Sequence, residues 1–395
     1  MRRNRIARVL AIAMLTLTAA CARGGEQAAT PGPGERGFVI GYAAALTGGL
    51  APFDAPFKDG LEVAIQLLNA EGGIDGRIPI RLEVKDVKSD AALASQVAQE
   101  LIDSGIDLLI TGCDVDLSIA SGSVAQAAGV PAISSCATTP TVPAAVGDYM
   151  FLVGMGDNAQ AAVDADFAMK QGWGTAYVLG SPDTGYTAKL PEYFKEAYTA
   201  EGGEIVGEDT FSVGATDYSA QVAKIGSLRP APDVIFTPAY VPDSAVFMKQ
   251  LRAAGIDIPV LSTDGNDSPL LIKVGGKAVE DMVFTTHGFP TPGSPLERFY
   301  EEYERIKGEP PESVFAALGG DLVAVVDAAV SKAGSTDPKA VRDAIDSLED
   351  VQGVTGSLTY RGQNGVPLKN VYLVKVEAGE FRFVASEVPS GVPSP

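Results

Sequence analysis

The chain has 395 residues, 50 of them acidic against 30 basic, for a formal net charge of −20. An excess of negative charge on that scale repels phosphate backbones and anionic bilayers, which excludes nucleic acid and a bare lipid surface as partners. One histidine and three cysteines leave little material for a metal centre or for histidine-based catalysis.

The first residues read as a leader. Arg2, Arg3, Arg5 and Arg8 form a basic start, and residues 9–20 form an apolar run ending in small side chains. Such a run is shorter than the ~20 residues a membrane-spanning helix needs, so residues 1–20 are expected to be a signal peptide. The break at Ala19-Ala20-Cys21 resembles a lipoprotein cleavage box, with Thr18 where an aliphatic residue is usual. Cys21 is therefore the expected lipidation site and the link to a membrane. Residues 21–36, rich in Gly, Pro, Ala and Thr, suit a flexible tether. The remaining chain, about 350 residues, is long enough for two domains.

Residues 38–86 spell out one βαβ unit. Leu61, Ala64, Ile65 and Leu68 recur at helical spacing, and Ile78, Ile80, Leu82 and Val84 alternate at strand spacing. Gly72, Gly73 and Gly76 allow a sharp exit from the helix. Strand and helix patterns then alternate to the end, which predicts α/β layering with parallel sheets. Strands are predicted at 107–111, 131–135, 149–153, 175–179, 234–238, 260–264 and 282–286. Helices are predicted at 90–104, 119–128, 159–170, 189–200, 218–225, 244–254 and 314–333.

Several short motifs carry no function. Gly154-Met-Gly156-Asp-Asn-Ala159 imitates a dinucleotide fingerprint, but the acidic residue expected after the following strand is misplaced. Asp114-Val-Asp116 begins like a calcium loop, yet Ile119 stands where the sharp-turn glycine belongs and no glutamate closes the loop. No GxSxG elbow exists, and the lone His287 falls at a predicted connection, where a structural role is expected. The residues predict no cofactor, no metal and no enzymatic activity.

A set of motifs in order gives the chain its likeness. Leu46-Thr47-Gly48, the 69–76 turn, Gly129-Val-Pro-Ala-Ile-Ser-Ser135, Gly185-Tyr186, Pro238-Ala-Tyr240 and Leu251-Arg-Ala-Ala-Gly255 together resemble the solute-binding proteins of branched-chain amino acid ABC transporters. That resemblance covers roughly residues 37–380. It implies the type I periplasmic-binding-protein fold: two Rossmann-like three-layer lobes with parallel sheets, joined by a three-strand hinge. Crossings are then expected near 154–158, 287–290 and 354–357. Lobe one would comprise 37–157 and 288–354, lobe two 158–287 and 355–388, with 389–395 a disordered tail. The implied partners are a small-molecule solute and ABC permease subunits, for a monomer held outside the cytoplasm. A ligand-sensing receptor module of the same fold is the alternative.

The resemblance also implies site residues. Cys136, Ala137 and Thr138 leave a strand end in lobe one, with Thr138 at the position that meets a ligand carboxylate. Tyr240 and Asp264 follow strand ends in lobe two, Asp264 matching the acidic residue that receives a ligand ammonium. Phe53 and Tyr186 match aromatic walls. Asp114 and Asp116 are a departure, because the family has a serine-rich turn there. Facing a ligand carboxylate at about 4 Å, either would cost roughly 4 kcal/mol at an effective dielectric of 20, about a thousandfold in affinity. Either these aspartates point away, or the ligand is cationic, aromatic or amide-like. With Cys21 consumed by lipid, Cys113 and Cys136 remain, each just after a predicted parallel strand. A disulfide between them is expected, worth roughly 3 kcal/mol by chain entropy.

Overall fold

The computed structural model describes residues 37–395. The expected signal peptide, the Cys21 lipidation site and the tether lie outside the described residues.

The first half builds a five-stranded sheet. β1 (Phe38–Ala44) leads through α1 (Ala51–Ala70) to β2 (Ile80–Asp86), then α2 (Ala91–Ser104), β3 (Leu108–Thr111), α3 (Val115–Ala128), β4 (Ala132–Ser134), the short α4 (Val142–Val146) and β5 (Met150–Leu152). The strand order is β2-β1-β3-β4-β5 and every pair is parallel. β1 is buried along its whole length, as a central strand covered by helices on both faces requires. Start signals are local: Asp90 caps α2 by accepting from the Leu93 amide at 2.9 Å, and Gly105 closes it in the left-handed region.

The second half holds a seven-stranded sheet. α5 (Asp157–Lys170) precedes β6 (Thr175–Gly180), α6 (Gly185–Ala200), β7 (Glu204–Thr210), α7 (Ser219–Ser227), β8 (Val234–Phe236), α8 (Asp243–Ala253), β9 (Val260–Ser262), α9 (Pro269–Gly275) and β10 (Val283–Thr286). The chain then adds α10 (Pro295–Lys307), α11 (Phe315–Ala333) and α12 (Pro338–Asp346). It ends with the small hairpin β11 (Val351–Gln352)–β12 (Ser357–Leu358) and the long hairpin β13 (Val371–Glu377)–β14 (Glu380–Glu387). The sheet order is β14-β13-β10-β9-β8-β6-β7, with β13 antiparallel to β10. Among the described residues no helix is long and apolar enough to cross a membrane.

Several features are not legible in the sequence. β7 carries two glutamates, an aspartate and a glycine, a composition an edge strand tolerates and a buried one does not. β13, β14 and the helices α10 and α12 likewise went unassigned. β9 stops at Ser262, two residues short of the predicted end, and Asp264 opens a 3-10 turn instead. The expected third crossing near 354–357 is displaced. The Tyr360 hydroxyl donates to the Leu152 carbonyl at 2.7 Å, and the Leu152 amide donates to the Gly365 carbonyl at 2.8 Å. The segment through 368 therefore stays on β5. The tail is also tied down, since the Asn158 side-chain amide donates to the Pro393 carbonyl at 2.8 Å and Pro393 is buried.

α11 returns from the second half to pack on α1, and two glycines set that approach. A Cβ on Gly60 would overlap the Ala316 carbonyl, and one on Gly319 would overlap the Leu61 backbone. Gly60→Ala should therefore destabilise the protein by about 2–3 kcal/mol through overpacking. Urea unfolding followed by circular dichroism tests this; an unchanged midpoint would show that the helices separate freely.

Candidate ligand-binding cleft

All the loops that matter sit at the carboxyl ends of parallel strands, where open α/β sheets place their ligands. A cleft opens there between the two halves. From the first half, α1 supplies Leu50 and Phe53, the turn after β3 supplies Cys113 and Asp114, and the turn after β4 supplies Cys136 to Thr139. From the second half come Thr184 and Tyr186 after β6, Tyr240 after β8, and Asp264 and Gly265 after β9. Phe315, at the start of α11, completes the wall.

One buried carboxylate organises the first half of this surface. Asp54 Oδ2 accepts from the Ala45 amide at 2.7 Å, while Oδ1 accepts from the Cys113 amide at 3.1 Å and the Ser135 hydroxyl at 2.7 Å. Loops after β1, β3 and β4 are thereby joined through a single side chain. Burial pushes its carboxyl up to about 6 despite those bonds. Two of the same loops are also linked covalently, because Cys113 and Cys136 form a disulfide with Cα atoms 4.7 Å apart. Asp54 and the two sulfurs cluster closely enough to suggest a metal site, but disulfide sulfurs are not thiolate ligands.

Asp264 organises the other side. Its Oδ1 accepts from the Tyr186 hydroxyl at 2.8 Å and from Gln160 Nε2 at 3.0 Å, and its Oδ2 lies 3.1 Å from His287 Nε2. Gln160 turns its Oε1 to the Thr285 hydroxyl at 2.8 Å, which fixes which end of the amide faces the carboxylate. Gly265 is required beside it, since a Cβ would strike Tyr240. Gln160 Nε2 also donates to Asp157 Oδ1 at 3.0 Å, and Asp157 Oδ2 accepts from the Thr139 hydroxyl at 2.7 Å. A continuous hydrogen-bonded path thus runs from the β4 turn to Asp264.

The aromatic rings stand nearly edge to face. Phe53 meets Tyr240 at 6.2 Å and Phe315 at 5.3 Å between centroids, and Tyr186 meets Tyr240 at 6.2 Å. The two halves also approach at the rim, where a Cβ on Gly185 would touch Val115.

Of the sequence-predicted residues, Phe53, Asp114, Cys136, Ala137, Thr138, Tyr186, Tyr240 and Asp264 line the cleft. Asp116 does not. It occupies the first turn of α3, exposed to solvent, while its amide donates to Asp114 Oδ1 at 2.8 Å. Asp54, Asp157, Gln160 and Phe315 went unnoticed in the sequence. Asp157 and Gln160 share a helix face at i and i+3 spacing, a weak signal until burial is known. His287 has no more than the anticipated connecting position in sequence, yet it is fully buried against Asp264.

Burial pushes the Asp157 carboxyl up to about 7, with the neighbouring Asp264 charge acting in the same direction. Between about pH 4 and pH 7 the folded protein therefore holds a proton that the unfolded chain releases. Stability from this group is complete below about pH 4 and declines as pH rises to 7, by on the order of a few kcal/mol. Asp54 and Asp267, each pushed up to about 6 by burial, act with the same sign. Asp157→Asn should flatten the rise in melting temperature between pH 7.5 and pH 5, measured by calorimetry; an unaltered slope would mean that Asp157 is ionised throughout.

Known proteins share this sequence family and this fold. The sequence matches the periplasmic binding protein family over residues 38–380. A Leu/Ile/Val-binding protein homolog of Brucella melitensis biotype 1 is 27% identical, covering 82% of this chain and 86% of its own. A leucine-binding protein from Thermotoga maritima superposes with a TM-score of 0.80 at 28% identity, covering 88% of this chain and 98% of that one. The branched-chain amino acid transporter substrate-binding protein of Streptococcus pneumoniae, solved with isoleucine, gives 0.80 at 27% identity, covering 89% and 99%. These relatives are binding proteins and not enzymes. The chain belongs to the periplasmic binding protein family, and its two α/β lobes are those of the branched-chain amino acid transporter type.

Proposed function

We propose that the protein captures a small amphipathic metabolite outside the cytoplasm and hands it to an ABC permease. The observation that carries this reading is Asp264: a carboxylate at a strand end, 4% exposed, lining a cleft walled by aromatic rings. Such a group receives the ammonium of an amino acid or of an amino-acid-like solute. Phe53, Tyr240 and Phe315 cover the apolar body, and Thr138 offers a hydroxyl on the opposite side.

Capture proceeds by hinge closure. The solute meets one lobe in the open form, and the second lobe then brings its own polar groups over it. The ligand drives the equilibrium only as far as it prefers the closed form. Water leaving the cleft strengthens each remaining polar contact. Cys21 serves as a lipid anchor, and residues 21–36 as the tether that leaves a monomeric body free to reach its permease. The disulfide suits an oxidising compartment.

A thermal-shift screen of amino acids, amino amides, polyamines and aromatic acids should yield stabilising compounds, by about 2.7 kcal/mol at a hundredfold excess over Kd. For the best of them, Asp264→Ala should weaken binding by about a hundredfold or more in calorimetry, consistent with loss of a buried charged contact. Small-angle scattering should show the wild-type protein contract with that compound. An Asp264→Ala variant of undiminished affinity would remove Asp264 from the site.

A further inference from the structure

Three carboxylates lie in the cleft or directly beneath it, and each has taken the donors around it. Asp114 is the N-cap of α3: its Oδ1 accepts from the Asp116 amide at 2.8 Å. A helix N-terminus facing a cleft is a natural cradle for a ligand anion. Here the protein's own side chain already fills it. The Thr139 hydroxyl is directed to Asp157, and Asp264 takes Tyr186, Gln160 and His287. Meanwhile, among the described residues, no lysine, arginine or histidine lines the cleft.

We propose that Asp114 selects against a free carboxylate, so that the cleft takes a small organic cation whose ammonium meets Asp264 and whose other end offers a donor to Asp114. That end is an amide, a guanidinium or a second ammonium. The inference rests on the reading of the cleft as the solute site. The two carboxylates belong to opposite halves, Asp114 to the turn after β3 and Asp264 to the turn after β9. Bringing them together without an intervening positive charge is unfavourable, so the cation itself supplies the preference for closure. Burial and the adjacent Asp116 both push the Asp114 carboxyl up, an unfavourable charge that a cation relieves. The Asp114 charge also reaches Tyr240 across the cleft. Phe53 and Phe315 remain for an apolar middle.

Calorimetry on the mature protein with leucinamide, agmatine, 1,5-diaminopentane and leucine tests the inference. At least one of the three carboxylate-free cations should bind about a hundredfold tighter than leucine, within the range that like charges near 4 Å impose. Serine is as good an N-cap as aspartate, so Asp114→Ser keeps α3 intact. That variant should bring leucine to within about tenfold of leucinamide. Leucine bound by wild type as tightly as the cations, or an unchanged ratio in Asp114→Ser, overturns the selectivity and leaves solute capture standing. Wild-type protein that binds none of the four compounds overturns the selectivity and the assignment of the cleft together.

Discussion

The Asp54 carboxylate is the contact on which the first half of the ligand surface depends. Loops after parallel strands have no hydrogen-bonded neighbours of their own, so they wander unless something inside the protein holds them. Asp54 reaches up from α1 and engages the loops after β1, β3 and β4 at once. Burying a carboxylate is costly unless donors surround it, and here three do. The Cys113–Cys136 disulfide closes the same two loops from above. Together they fix the cleft face of that half from within the fold.

The opposite lobe solves a different problem. It presents one acid, Asp264, and surrounds it with Tyr186, Gln160 and His287 so that the carboxylate cannot turn away. Gln160 is the hub, because its single amide nitrogen serves both Asp157 and Asp264. Through Asp157 and Thr139 the β4 turn is bonded to the same network. Asp164 lies deeper on α5 with neither oxygen hydrogen-bonded, and burial with the nearby Asp264 charge pushes it well above the usual carboxylate range.

Much of the fold was legible because parallel strands in a covered sheet are runs of Val, Ile and Leu separated by amphipathic helices. β1, β3, β8 and β10 are of that kind. β7 and β14 were not, since edge strands carry charge, and β13 enters the sheet beside β10, far away in sequence. Eight of nine proposed ligand-site residues line the cleft, for strand ends are where such a sheet has room. Asp116 differs from Asp114 by two helical positions, enough to turn it to solvent.

Composition and order alone determined the α/β class, the succession of strand-end loops and the acidic character that governs every contact. Those properties are local, set by side-chain period and residue type. Tertiary structure alone decided which of 50 acidic side chains are buried, that Asp54 binds three loops, and that Asp114 spends its charge on its own helix. It also decided that Asp157 bonds the Thr139 hydroxyl of the β4 turn while Gln160 carries the path on to Asp264. Burial and hydrogen-bond partnership depend on residues brought together from distant positions, and no periodicity along the chain records them.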